Sequence, residues 1–207
     1  FQTFNVAYDH IKCGINGPVV FNVDVASGPY TEQLIMSAVP GASATNTVTF
    51  NGGGVGVDTI SFGAGSSIAL TFDNAQYMTF QNVTITAPAS DRQVWMTNGT
   101  HHITFDNCDI LGSSTATSSL TCVIAISGSS TSVSGTGVNA NDITISNCKI
   151  VGGYYGFSAY GGGTTSFIDN FTLTNNEFVD QYYYGIRFYY VKNITVEGNN
   201  AVLDRNT

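Results

Sequence analysis

The feature that most constrains this chain is a short motif that recurs along its second half. In each copy a threonine lies between two apolar residues, and an asparagine or glycine follows three residues later. Three of the four intervals between copies are 23 to 28 residues long, and the fourth is 40. Repeats of this length are typical of solenoid folds. The central threonines are Thr79, Thr104, Thr144, Thr172 and Thr195.

The residues around each threonine alternate as in a half-buried β-strand. Ile103 and Phe105, for example, flank Thr104, which places the apolar pair on one face and the threonine on the other. The alternation breaks at the asparagine, which predicts a tight turn in the left-handed conformation. We therefore predict an all-β protein, a right-handed parallel β-helix of about seven coils that forms one domain over residues 1–207.

The asparagines of the motif are predicted to turn inward and to stack in successive coils as an amide ladder. Each amide would satisfy the one above and below it, which makes a buried polar row tolerable. The fifth copy has Gly198 in this place. The predicted ladder is Asn82, Asn107, Asn147 and Asn175.

The two ends of the chain lead to different expectations. Residues 1–16 are predicted to cap the first coil, with a short helix over Phe4 to Ile11 and Thr3 as its N-cap. Thr207 lies inside what reads as another coil. Because an uncovered coil exposes unpaired strand edges, we expect flanking coils or a partner there, and a longer chain.

The 40-residue interval contains a segment rich in serine, threonine and glycine. Residues 112–139 are predicted to be an insertion that projects as a loop from one corner of the coil. Cys122 to Ile126 reads as a strand between its two halves.

Of the four cysteines, Cys108 and Cys148 occupy the same position of the repeat. Stacked in adjacent coils, they are compatible with two buried thiols or with a coil-to-coil disulfide. No cysteine pair or histidine has metal-ligand spacing, so we predict no metal and no cofactor.

The composition narrows the classes of partner. Charged residues are 10% of the chain and the net charge is -8, so no basic stripe is available for nucleic acid. No apolar stretch is long enough for membrane insertion. A surface dominated by Asn, Thr, Ser and Gly suits a secreted or cell-surface protein.

Candidate binding residues lie off the repeat, on strands around Tyr155–Tyr160 and Tyr184–Tyr189. Alternation places Arg187 and Tyr189 outward, beside outward Tyr160, with Trp95 on the same face two coils away. Aromatic planes and an arginine fork suit sugar rings and carboxylates, so these four residues are a candidate carbohydrate site. The alternative is a structural aromatic stripe. His101 and His102 are adjacent and are predicted to face opposite sides.

The N-terminal residues carry a family resemblance. The stretches Gly14–Val23, Gly28–Leu34 and Pro40–Phe50 resemble the first coils of pectin-lyase-like β-helix modules, in particular those of large bacterial surface proteins exported by the type IX route. The Gly-x-Tyr-x-Glu-x-Leu pattern is also similar to the opening of pectin methylesterases. This resemblance implies a carbohydrate-active enzyme or an adhesive rod.

Three functions follow as hypotheses. The first is an extracellular surface or adhesin-type module that binds a polysaccharide or cell-surface glycan. The second is a polysaccharide lyase or carbohydrate esterase around Arg187, although the aspartate pair, glutamine or calcium-binding acids that such families imply have no match here. The third is a structural filament or spacer subunit.

Overall fold

The protein, seen in a computed structural model, is described over residues 1–25, 27–61, 68–87 and 89–204. One helix precedes a series of short strands. In chain order these elements are α1 (Phe4–Ile11), β1 (Val19–Asn22), β2 (Tyr30–Thr31), β3 (Leu34–Ser37), β4 (Val48–Asn51), β5 (Thr59–Ser61), β6 (Ile68–Asp73), β7 (Gln76–Gln81), β8 (Thr84–Thr86), β9 (Arg92–Thr97), β10 (Thr100–Asp106), β11 (Asp109–Leu111), β12 (Cys122–Ile126), β13 (Ala140–Ser146), β14 (Lys149–Val151), β15 (Tyr155–Tyr160), β16 (Ile168–Thr174), β17 (Glu177–Val179), β18 (Tyr184–Tyr189), β19 (Val191–Glu197) and β20 (Asn200–Val202).

The strands form three parallel sheets, here named A, B and C. Sheet A contains β1, β4, β7, β10, β13, β16 and β19; sheet B contains β2, β5, β8, β11, β14, β17 and β20; sheet C contains β3, β6, β9, β12, β15 and β18. Each strand pairs with its equivalent in the neighbouring coils, and the strands at the two ends of each sheet pair on one side. The chain therefore winds as a parallel β-helix of seven coils, as the repeat predicts.

The interior is built from residues that alternate with the threonines. On sheet A, Phe50, Phe80 and Phe105 are fully buried and pair in register across successive coils. Phe21 extends this stack, with ring centroids 4.9 to 5.8 Å apart and planes within 26° of parallel. Parallel pairing thus converts one apolar position of the motif into a continuous aromatic column.

The asparagines adopt the predicted turn conformation but do not point inward. Asn82, Asn107, Asn147 and Asn175 have φ between 50° and 57°, and their side chains are exposed or half-buried. Asn107 donates to Asn82 Oδ1 at 2.7 Å, whereas Asn147 donates to Asp106 Oδ1 at 2.8 Å. The ladder is therefore on the outside of the coil, and both asparagine and aspartate side chains take part in it. The left-handed asparagine forms the corner, and the side chain of the residue after it turns into the core.

The buried polar column lies one residue later. Cys108, Cys148, Asn176 and Asn199 occupy this place in successive coils. The Cys148 amide donates to Asn176 Oδ1, and the Asn176 amide donates to Asn199 Oδ1, both at 2.9 Å. Cys108 and Cys148 are free thiols, with the Cys108 amide 3.4 Å from Cys148 Sγ. These side chains satisfy backbone N–H groups that the turn removes from the sheets.

Helix α1 covers the first coil, as predicted. Thr3 Oγ1 accepts from the Val6 amide at 3.1 Å, which is the N-cap contact. The Glu32 carboxylate accepts from the amides of Phe4 and Asn5 at 2.7 and 2.9 Å, so an acid lies at the positive end of the helix. Phe4, Ala7, Tyr8 and Ile11 are buried against the first coil.

At the other end, the last described coil is uncovered. Apolar positions that are buried in earlier coils are open in β19 and β20, where Ile194 is 39% and Val196 is 44% exposed. The last three residues, 205–207, lie outside the described part of the chain.

The second half of the insertion folds back onto the coil and does not project, whereas most residues of 113–120 are exposed. Strand β12 passes through it, and residues 127–139 then cover the outer face of sheet C, with Val133 only 5% exposed. The Ser127 hydroxyl organises this loop: it donates to the Ser132 carbonyl and accepts from the amides of Ser129 and Gly135. We call residues 127–139 the covering loop.

The left-handed turn can be tested at Asn107, whose φ is 50°. Asn107→Ala should lower the free energy of unfolding by about 1–2 kcal/mol, because a Cβ without a polar group is disfavoured in this conformation. Asn107→Gly should recover most of that loss in urea unfolding. Equal losses in both variants would show that the side-chain hydrogen bond, not the backbone, dominates.

The aromatic column can be tested at Phe80. Phe80→Ala should reduce the free energy of unfolding by about 3–5 kcal/mol, because it opens a cavity in the middle of the stack. The neighbouring outward Thr79→Ser serves as the control and should change it by less than about 0.5 kcal/mol. Similar losses for the two variants would contradict the assigned facing of this strand.

Candidate functional site

The candidate site lies on the outer face of sheet C. In register, Trp95 pairs with Ala125, Ala125 with Ser158, and Ser158 with Arg187. Tyr160 pairs with Tyr189 at the next outward position of adjacent strands. The structure thus places all four predicted residues on one face, as strand alternation requires.

Trp95 is separated from the other three. It lies on β9, three strands from Arg187 on β18 and not two, a distance of about 14 Å at ~4.8 Å per strand. The covering loop also packs over it, and Trp95 Nε1 donates to the Ser127 carbonyl at 2.8 Å. Trp95 therefore helps to hold the loop and is not part of the open site.

Arg187 is the centre of the open site. Its guanidinium carbon lies 5.0 Å from the ring centroid of Tyr155, 5.5 Å from that of Tyr160 and 5.8 Å from that of Tyr189. Its Nη2 donates to Ser134 Oγ of the covering loop at 3.1 Å. Within the described residues no carboxylate lies within ion-pair distance of it.

Two pairs of tyrosines frame this guanidinium. Tyr160 and Tyr189 stack with centroids 5.0 Å apart and planes at 2°, and Tyr155 and Tyr184 stack at 6.2 Å and 23°. Tyr189 and Tyr184 are each nearly half exposed, so both pairs present a ring edge or face to solvent. We call Arg187 and these four rings the arginine–tyrosine cluster.

A second arginine lies buried under the covering loop. Arg92 is fully buried; its Nη1 donates to the Ser130 carbonyl, while Nε and Nη2 have no partner within the described residues. Burial lowers the pKa of Arg92, although Cys122 and Asp91 oppose the shift. The sequence pattern did not point to Arg92, because only the folded loop buries it.

Cys122 lies on the same face, within electrostatic reach of both arginines. Burial raises the pKa of its thiol to about 12, and the charges of Arg92 and Arg187 oppose the rise only in part. The contact with Cys108, together with burial, raises the pKa of Cys148. Neither thiol is activated as a nucleophile.

The outer face of sheet C is poor in acids. Among the described strands of this sheet, Asp73 is the only acidic residue, and it accepts from Asn98 Nδ2 at 2.7 Å. No group of three possible metal ligands occurs in the described part of the chain. The arrangement can bind a carboxylate through the free N–H groups of Arg187 and hold a sugar ring against tyrosine.

Comparisons with known proteins agree with this architecture. The family model of the right handed beta helix region matches residues 45–202, and the chain belongs to that family. A pectin methylesterase variant solved in complex with a hexasaccharide has the same fold, with a TM-score of 0.57 and 14% sequence identity. The match covers 100% of this chain but 63% of the pectin methylesterase chain. No curated protein sequence matches significantly.

These comparisons confirm the predicted right-handed parallel β-helix. The described residues contain no helix of the length and apolarity needed to cross a membrane.

Thiol reactivity tests the environment of Cys122. In the native protein at pH 8, iodoacetamide should modify the exposed Cys13 and leave Cys122, Cys108 and Cys148 unmodified, because the thiolate is the reacting form. Mass spectrometry of the denatured, unreduced protein should then show four alkylations. Only two would indicate a disulfide between Cys108 and Cys148, and rapid native labelling of Cys122 would contradict its burial.

Proposed function

We propose that the protein is a secreted or cell-surface β-helical module that binds an acidic polysaccharide at the arginine–tyrosine cluster. One observation carries the proposal: the Arg187 guanidinium is half-buried among tyrosine rings and has no carboxylate partner within the described residues. A cation held in this way has N–H groups available for a ligand carboxylate.

The distribution of charge supports an anionic ligand. The protein carries a net charge of -8, yet the described strands of sheet C hold two arginines and one aspartate. A locally positive face on an acidic protein favours ligands of negative charge. Uronic acids combine such a charge with a ring that can stack on Tyr189 or Tyr184.

The same fold in a pectin methylesterase bound to a hexasaccharide supports a role with polysaccharides, although at 14% identity the likeness concerns the fold alone. The site itself favours binding over hydrolysis, because glycoside hydrolysis requires two carboxylates around the scissile bond. The adhesin-type role and export by the type IX route remain part of this proposal.

Binding can be tested with polygalacturonate in affinity electrophoresis. Arg187→Ala should weaken binding about tenfold or more, because it removes a charge-assisted hydrogen bond. Arg187→Lys should retain part of the affinity through its charge alone. Lys149→Ala, on sheet B, makes the same change in net charge and should have no effect.

Two results would contradict the proposal. If Arg187→Ala bound polygalacturonate as tightly as the unmodified protein does, the cluster would not be the binding site. If Lys149→Ala lost as much affinity as Arg187→Ala, the effect would be one of net charge alone. Carboxylate-free dextran supplies a further control and should not compete with polygalacturonate.

An enzyme of the pectin-processing superfamily is the second candidate, favoured by the hexasaccharide-bound neighbour. Unsaturated uronate product, or methanol released from methylated pectin, would establish it if the activity disappeared in Arg187→Ala. Such activity would mean that the protein is an enzyme with its active site at the arginine–tyrosine cluster, and not a binding module.

A filament or spacer subunit is the third candidate. The observation in its favour is the uncovered last described coil, with its exposed Ile194, Val196 and Val202. Light scattering that detects only monomers at high concentration would reject self-assembly through this end.

A further inference from the structure

A groove on the outer face of sheet A is separate from the arginine–tyrosine cluster. It has a volume of about 420 Å³ and shares no residue with the cluster. Its floor is formed by threonines, and one wall contains Tyr77, His102, Asp142 and Asn170. It extends across four strands, β7, β10, β13 and β16, or about 14 Å.

Sheet A bulges at the wall position in successive coils. Tyr77, His102, Asp142, Asn170 and Asn193 all have φ between 50° and 60°. The strand pairing skips this position: His101 pairs with Asn141 and Ile103 with Ile143, while His102 and Asp142 between them do not pair. The bulge breaks the alternation, so His101 and His102 are not on opposite faces: their Nδ1 atoms lie 2.8 Å apart.

The side chains of this wall hold one another in place. The Tyr77 ring stacks on His102 with centroids 4.5 Å apart and planes at 28°. His102 Nδ1 lies 3.6 Å from Asp142 Oδ2, and Asn170 Nδ2 donates to Asp142 Oδ1 at 2.8 Å. Because these side chains are already ordered in the free protein, they lose less conformational entropy when a ligand binds.

The threonines of the floor offer hydroxyl groups that the protein does not use. Thr79, Thr104, Thr144 and Thr172 pair in register and are half-buried. Their hydroxyls make no hydrogen bond to another described group. A ligand that runs along the axis therefore meets a methyl and a free hydroxyl at every coil.

The charge of the groove differs from that of the cluster. None of the described lining residues is lysine or arginine, and Asp142 contributes a carboxylate. Burial, followed by the neighbouring His102, lowers the pKa of His101, while Asp142 opposes the shift. A uronate would meet like charge here without a cation, whereas sugar hydroxyls can donate to Asp142 and accept from Asn170.

We propose that this groove is a second carbohydrate site that binds an uncharged polysaccharide along the axis of the β-helix. Tyr77 is the stacking platform at one end, Asp142 and Asn170 bind the hydroxyls of the sugar, and the threonine floor follows the chain. The protein would then bind an acidic glycan on sheet C and a neutral one on sheet A.

The test uses affinity electrophoresis in β-1,3-glucan, xylan and galactomannan. Tyr77→Asn removes the ring and keeps a residue that accepts φ of 55°, so it should fold normally. It should weaken binding of the retained glycan about two- to tenfold, the range for loss of one aromatic contact. Asp142→Asn should weaken it by about tenfold, because a charge-assisted hydrogen bond is lost.

Tyr190→Asn is the matched control, since Tyr190 also has φ of 55° but lies outside the groove. It should bind the neutral glycans as the unmodified protein does. Arg187→Ala should likewise leave neutral binding intact, and Tyr77→Asn should leave polygalacturonate binding intact.

Three results would overturn the proposal. The first is that none of the three neutral glycans retards the unmodified protein. The others are that both groove variants are retarded as strongly as the unmodified protein, or that Tyr190→Asn loses as much affinity as Tyr77→Asn. Because the acidic and neutral ligands are measured on the same variants, failure of the groove and failure of the cluster are distinguishable.

Discussion

Parallel pairing of equivalent residues in successive coils is the interaction on which the rest of the structure depends. Thr104 pairs with Thr79 on one side and with Thr144 on the other, and the pairing repeats along sheet A. Each position of the repeat thereby becomes a column about 4.8 Å in spacing. A column of phenylalanines, continued by aliphatic side chains in the later coils, lies in the interior, and a column of threonines lines the surface. Side chains are placed by what lies above and below them more than by their neighbours in sequence.

Columns also explain why the two candidate sites differ in chemistry. On sheet C one outward column changes from tryptophan to alanine, serine and arginine, so its single charge, Arg187, lies at one end among tyrosines. On sheet A the outward columns are hydroxyl, amide and carboxylate groups at nearly every coil. One scaffold therefore presents a cationic aromatic cluster and an uncharged-to-acidic groove on different faces. Both arrangements suit sugars, but sugars of different charge.

The covering loop shows how a polar insertion can become ordered. Its serines satisfy one another through the Ser127 hydroxyl, and sheet C supplies further donors from Trp95, Arg92 and Arg187. Among the described residues, the same packing buries two Arg92 nitrogens and the Ser158 hydroxyl without a hydrogen-bond partner, which is unfavourable in isolation. Arg187 lies at the margin of the loop and keeps access to solvent. The loop thus selects which arginine is available to a ligand.

Much of the fold follows from local patterns in the sequence. The threonine-centred alternation predicts the strands and their buried faces, the asparagines predict left-handed turns, and Thr3 predicts the start of α1, because each depends on a few consecutive residues. The common face of Tyr160, Arg187 and Tyr189 follows from the same alternation.

Other features depended on contacts between distant residues. The outward direction of Asn147, the buried amides of Asn176 and Asn199 and the covering of Trp95 all require knowledge of which coil lies beside which. The groove is the clearest case: at a bulge repeated in five coils His101 comes to the same face as His102, and neither period nor composition signals where the backbone will bulge. The sequence by itself determined the coil and the side of each strand that is buried, because these are set by hydrophobic alternation. The tertiary structure decided which outward residues meet, because that depends on register, bulges and the path of a long loop.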